Sequence, residues 1–533
     1  MRGYGASEES ADAAALFCTV PNPSSSHAFG AGPSFSLREK VWNADWKTTM
    51  TLSPRFLTAP VLALGLLASA CVVGPNYQRP DLKLTTAYVT PAPATSAQTP
   101  APLETWWQGF DDPMLVRVVE RATAQNLDIE QARARILQSR AIARAAGAAL
   151  LPQVDSSSTA ASVNQSLLSP IGEIGSHLPG FPRYLNDYTV GASASWEIDL
   201  FGGLRRERDA AVAGAEAARA NAQAVRISVA ADAADAYLQV RGLQAQLDVA
   251  RRQEKDQADL VSLVSQRADQ GVAPDRELNT AKAALDGVRA SIPPLEAGLE
   301  AELNRLDVLM GAQPGTDRAE LLPVAALPAT PALSIAEGPA DLLRRRPDVL
   351  AAEQKLIAAN AGIGAAISDY YPKISVSGLL GFDSVEANRL FSPLARENQV
   401  AAGLRWRLFD FGRIDAEVAQ ARGRKAEALA AYRASVLKAT EDVENALSGL
   451  HWDQEQATVL ERQVAELTRA RDQAQQAYEG GAVSLIEVRD ADRDLLAASD
   501  ALVRARADAD RSAVAAYRAL GGGWSAPVRV AAR

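Results

Sequence analysis

Two kinds of periodicity alternate along this chain. Tyr188, Val190, Ala192, Ala194, Trp196 and Ile198 fall on one side of a two-residue alternation, with Thr189, Gly191, Ser193, Ser195 and Glu197 on the other. The alternation returns at Val400, Ala402, Leu404, Trp406 and Leu408, set against Ala401, Gly403, Arg405 and Arg407. A period of two predicts half-buried strands. Less regular partners precede them at Val154–Val163 and Ile374–Phe382, so two hairpins are predicted, at about 153–198 and 373–408. The stretches 205–269 and 415–479 lack proline and are rich in good helix formers. Each, if continuous, spans roughly 100 Å at ~1.5 Å per residue. Beyond Gly271, apolar residues recur every seventh position at Leu278, Leu285, Ile292, Leu299 and Leu306; Val488, Leu495 and Leu502 keep the same register later. That spacing predicts a coiled-coil seam, and Pro293-Pro294 should kink the first of these helices.

The pattern occurs twice. Trp196…Gly202 (WEIDLFG) resembles Trp406…Gly412 (WRLFDFG) at an offset of 210; Gly271 matches Gly481, and Gly311 matches Gly521, at the same offset. Upstream, Asp128 matches Asp348 and Pro152 matches Pro372 at an offset of 220. The change of offset lies between Pro152 and Trp196, so the first hairpin carries the longer loop, within 167–186. The expected organisation is an upstream segment 1–49, an export signal 50–70, a linker 71–104, a first repeat 105–311, a Pro-rich linker 312–340, a second repeat 341–521 and a tail 522–533. The fold class is mainly α with a small β part.

Composition removes whole classes of function. The 533 residues are 47% hydrophobic and 22% charged, which is a folding composition. A net charge of −9 without a basic tract is a poor fit to nucleic acid. Three histidines and two cysteines, far apart, do not make the dense clusters that zinc, haem or iron–sulfur sites need. No metal, cofactor or catalytic constellation is expected, and the chain does not read as an enzyme. Arg344-Arg345-Arg346-Pro347-Asp348 reads as a helix start whose arginines meet acids on neighbouring helices. Trp106-Trp107 suits either a membrane interface or packing against the helices.

Residues 56–70 form an apolar run behind Arg55 that is too short to span a bilayer but suits a secretory signal core. Ala68, Ser69 and Ala70 stand directly before Cys71, as lipoprotein processing requires, so Cys71 is the expected acylated N-terminus; an ordinary signal cleaved near Ala70 is the alternative. Met50 is then the expected initiator.

Four strands cannot close a membrane barrel, for which at least eight are needed. If they enter a membrane, several chains must share one barrel. At this point the motifs TWWQGFDDPML (Thr105–Leu115), CVVGPNYQRP (Cys71–Pro80), DLLRRRPDVLAAEQKL (Asp341–Leu356) and EGGAVSLIEVRDADRDLL (Glu479–Leu496) resemble TolC-like outer-membrane efflux factors, in particular the NodT-type lipoprotein branch. The resemblance implies a homotrimer with a 12-stranded barrel in outer-membrane lipid and an α-helical tunnel in the periplasm. It also implies a periplasmic adaptor, an inner-membrane resistance-nodulation-division pump, and passive conduction of small molecules. Type I protein secretion and a non-pore coiled-coil envelope lipoprotein are the alternatives. By the same resemblance the tunnel closes at the tip turns, Gly271 and Gly480-Gly481, where Glu487 and Asp490 take the positions of an acidic gate ring. Glu277 is the repeat equivalent of Glu487.

Overall fold

The alternating and helical segments are realised as a four-stranded sheet and a set of long helices in the computed structural model. It describes residues 72–82, 85, 87–90, 102–272, 274–331, 333, 338, 340 and 345–525, all within one compact unit, Ala63–Arg533. The signal 50–70, Cys71, the segment 1–49 and Arg344 lie outside the described residues.

A 3-10 helix at Leu103–Phe110 leads into α1 (Pro113–Gln125) and α2 (Leu127–Ala148). Strand β1 (Gln153–Asn164), the short α3 (Pro170–Ser176) and β2 (Tyr184–Ile198) make the first hairpin. The first long helix, α4 (Gly203–Asp269), turns back into α5 (Asp275–Leu309), followed by a single turn α6 (Arg318–Leu321). The second half repeats the order: α7 (Pro347–Ser368), β3 (Lys373–Ser384), β4 (Arg396–Arg405), α8 (Arg413–Glu479) and α9 (Leu485–Ala519). Helices α4 and α8 are both 67 residues long, and α5 and α9 both 35. At ~1.5 Å per residue the long ones reach about 100 Å.

The sheet is wholly antiparallel in the order β1-β2-β3-β4, with Gln153 opposite Ser195, Ile198 opposite Ile374 and Lys373 opposite Arg405. Strands β1 and β4 are therefore edges, each with one ladder unfilled in this chain. The connection 165–183, which holds α3, is longer than 385–395, as the change of offset predicts. The second hairpin ends earlier than expected: β4 stops at Arg405, so Trp406 and Leu408 lie outside the ladder. The Trp406 indole N–H instead donates to the Tyr370 carbonyl at 2.9 Å, while Arg407 turns to Asp369 and Glu417. In the first half the Trp196 indole makes the same bond to Leu150 at 3.0 Å. The repeated Trp is thus a bolt that ties the strand end to the loop leaving the preceding helix.

Asp199 accepts from the Leu204 and Arg205 amides, and Asp410 from the Gly412 and Ile414 amides. Each aspartate meets amide donors that a helix start leaves orphaned. Prolines 293 and 294 do not end α5, which runs unbroken through them. They remove two backbone bonds, but Leu285, Leu299, Leu303 and Leu306 are buried on either side and hold both halves of the helix in place.

The main core lies where the middle of α4 meets α1, α5, α9 and the 3-10 helix. Trp106 and Trp107 are 1% and 4% exposed, and Trp106 stacks on Tyr517 at 5.1 Å, so these indoles pack against helices. A second cluster joins α7 and α8 through Val349, Leu356, Tyr432 and Val436. The segment after position 71 is strapped across this region. The Val73 amide donates to the Phe201 carbonyl at 3.0 Å, and Arg206 reaches Asn76. Tyr77 and Arg79 both donate to Glu353, at 3.1 and 2.7 Å. A side chain on Gly74 would collide with the backbone of Gly364. Arg346 pairs with Asp348 and Asp442, and Arg345 with Glu104, as expected for a helix start held by ion pairs. No described helix is long and apolar enough to cross a membrane.

Candidate functional site at the helical tip

Both long helices end in the same turn. After α4, the Gly271 amide donates to the Ala268 carbonyl at 2.8 Å and the Val272 amide to Arg267 at 2.9 Å. After α8, Gly481 donates to Tyr478 at 2.9 Å and Ala482 to Ala477 at 2.8 Å. This crossed pair closes a helix when the residue past its cap is left-handed, and glycine takes that conformation without a Cβ penalty. Gly271 and Gly481 have φ of 70° and 74°. Gly480, also expected as a turn residue, is only the cap, right-handed at φ −77°, a place that Gln270 fills in the first half.

Beneath the turns, Leu260 and Val264 of α4 pack with Tyr478, Leu485 and Val488. The Arg267 guanidinium lies 4.8 Å over the Tyr478 ring, joining the ends of the two long helices. Because Leu485 and Val488 point into this cluster, Glu487 and Asp490 are left on the exposed face of α9. Glu487 stands in the first turn of α9 and Glu277 in the first turn of α5, where the positive helix end stabilises an acid by roughly 0.3–1 kcal/mol. Asp490 has Arg493 at 3.5 Å on its own helix. The structure places Glu487 and Asp490 together one turn apart; Glu277, half-buried, belongs to the other helix pair.

One charged group at the tip is not in that expected set. Asp492 is 9% exposed between α4, α8 and α9. Burial pushes its carboxyl above the usual carboxylate range; Arg471 at 3.8 Å pulls it back and Asp256 pushes it further up. Gln257 donates to it at 3.4 Å, while the Gln257 carbonyl oxygen and the Arg471 Nε remain without hydrogen-bond partners. The signal was available: Asp492 lies seven residues after Leu485, so it occupies a seam position that a coiled coil fills with an apolar side chain. No cluster of metal-ligating side chains occurs among the described residues.

A small antiparallel sheet joined to long paired helices, which end in two matching glycine turns, is the architecture of this chain. Residues 118–312 and 338–522 match the family model described as outer membrane efflux protein, and the chain belongs to that family. It is an outer-membrane efflux protein. It is 32% identical, over 90% of its length and 99% of the relative's, to the pyoverdine export outer membrane protein OpmQ of Pseudomonas putida. Nodulation protein T of Rhizobium leguminosarum bv. viciae is 26% identical over 87% of this chain and 93% of its own length, in keeping with the NodT-type resemblance. The solved outer-membrane channel OprN superposes with a TM-score of 0.76 at 34% identity, covering 85% of this chain and all of its own. OpmQ is named for export and OprN as a channel.

Proposed function

We propose that this chain is one third of a homotrimeric exit duct that passively discharges small molecules delivered by a periplasmic adaptor and an inner-membrane pump of the resistance-nodulation-division type. The observation that carries the reading is the pair of unfilled sheet edges. In the chain, β2 pairs with β3 so that Ala192 faces Leu380 and Ala194 faces Gly378. Moving β2 forward by 210 gives β4, and moving β3 back by 220 gives β1. The same ladder then sets Ala402 opposite Ala160 of the next copy, and Leu404 opposite its Ser158. Three copies joined this way close a barrel of twelve strands, which leaves no edge in lipid.

The anchoring reading agrees with the strap. Val72 packs against Gly202 and the Val73 amide binds Phe201, at the junction of sheet and helix. An acylated Cys71 next to this point would sit at the level of the inner leaflet. At the far end, three copies of Glu487 and Asp490 would form the acidic ring of the closed tip. The export direction follows OpmQ, whose name gives it the export of pyoverdine. The test is a cysteine pair, Ala402→Cys with Ala160→Cys. Mild oxidation in the outer membrane should yield a covalent trimer; monomers alone would sink the shared barrel.

A further inference from the structure

We propose that the helical seam between copies is wedged open by Trp452, which lies against Ala297 of the neighbouring copy where the seam within a chain is closed tightly by Gly242. The inference rests on the trimer proposed above and adds to it the residues and register of the helical contact.

Within the chain, α4 runs antiparallel to α9. Arg518 reaches Asp232 at 3.1 Å, Arg511 reaches Asp235 at 2.7 Å, and Gln257 reaches Asp492 at 3.4 Å. At Gly242 the helices approach closely: a Cβ there would stand 3.0 Å from the Ala507 Cβ. The repeat turns α4 into α8 and α9 into α5 by 210 residues in opposite directions. The register of the seam is preserved by that operation, so α8 of one copy meets α5 of the next with Trp452 in the place of Gly242 and Ala297 in the place of Ala507.

Three observations fit this occupant. First, the faces are bare and apolar: Trp452 is 64% and Val459 46% exposed, and Ala290 and Ala297, their partners in the shifted register, are exposed on α5. Gly298, one step round the helix, faces Leu243 of its own chain, which directs Ala297 outward. Second, size is complementary, since an indole on α8 meets alanines on α5. Third, charge is complementary. Towards the tip the register sets Glu466 beside Lys282 of the next copy, both exposed, where the seam within the chain holds the acids Asp256 and Asp492. An opposite charge appears on the one helix whose partner at that height is an acid.

The test joins cross-linking to a swap, in the full-length protein. Trp452→Cys with Ala297→Cys, treated with a short bis-maleimide, should give a covalent trimer, as should the barrel pair Ala402→Cys with Ala160→Cys. If the barrel pair links and the seam pair does not, the seam proposal is overturned and the trimer stands. If neither links, both fall. Ala297→Trp alone should block trimers by setting two indoles in one seam, and Trp452→Gly added to it should restore them. Trimers that tolerate Ala297→Trp would also overturn the proposal. So would a Trp452→Cys variant whose new thiol stays fully reactive to small maleimides within the trimer, an outcome that leaves this face to the adaptor.

Discussion

The two long helices are built alike and used differently. Both have 67 residues and end in the same glycine turn, yet α4 is buried along its middle, from Ile227 to Ala250, whereas over the corresponding stretch α8 buries only the spaced residues Ala439, Val443, Leu447 and Leu450. The difference is one of neighbours: α4 lies between α5 and α9 of its own chain, while α8 packs on α9 and, through Tyr432 and Val436, on α7, and leaves Trp452 and Val459 uncovered in this chain. One scaffold thus shows a finished contact and an unfinished one side by side, and the finished one supplies the register for the other.

The most drastic way to break this comparison is Gly242→Trp. It imports the residue of the open seam into the closed one, where backbone must shift; overpacking of this kind costs about 1–3 kcal/mol or more. Little folded protein should reach the membrane, as judged by protease resistance, while Trp452→Gly should leave the protomer fold intact. Next comes Asp510, at 1% exposure and held by the Thr330 hydroxyl at 2.6 Å, against its repeat equivalent Glu300, which is exposed and paired with Arg318. Burial pushes the Asp510 carboxyl up to about 7. A folded value above the unfolded ~3.9 means that the folded state holds the proton more tightly, so stability falls as pH rises from about 4 and the loss is complete above about 7. Asp510→Asn should therefore raise stability at pH 8 by on the order of 2–4 kcal/mol and change little at pH 4, whereas Glu300→Gln should be nearly neutral at both. Thermal melts at the two pH values decide it.

Tyr237 gives a smaller contrast. Its hydroxyl donates to Asp112 at 2.6 Å and accepts from Arg241 at 2.9 Å, while the matching residue in the second half is the buried Leu447. Tyr237→Phe should cost about 1–3 kcal/mol by leaving those partners unmet, visible as an earlier urea midpoint. The smallest effect on stability belongs to the tip. If the proposed trimer gathers these acids into a ring, Glu487→Ala with Asp490→Ala should leave assembly intact and lower the cation preference in planar bilayers, because like charges brought together concentrate cations. Glu277→Ala should do less. Unchanged selectivity in the double variant would remove these acids from the gate.

Much of this was legible in the sequence because it is local. Proline-free runs, seven-residue spacing and glycine at a fixed offset are each settled within a few turns, so α4, α5, α8 and α9 follow from them. What was not legible depends on partners far away in the chain. The alternation predicts that β4 continues through Leu408, but its partner β3 begins only at Lys373, opposite Arg405 and just after Pro372, so the ladder ends there and Arg407 turns to ion pairs instead. Asp510 sits in an alanine-rich helix with nothing nearby to mark it, and its partner Thr330 lies 180 residues away. The strap at 72–82 has no periodicity at all, since its contacts are bonds to individual side chains and carbonyls.

That strap also constrains the order of events when the protein is made. Glu353 and Asn360, which receive it together with Gly364, lie 276 and 285 residues downstream of their partners Tyr77 and Pro75. Val73 and Asn76 can meet Phe201 and Arg206 once the first hairpin is made, but Tyr77 and Arg79 cannot reach Glu353 until α7 has formed. A contact of such long range closes late. A chain cut short before α7 keeps the bonds of Val73 and Asn76 but lacks those of Pro75, Tyr77 and Arg79, so closure of the clasp marks that the second repeat has been made.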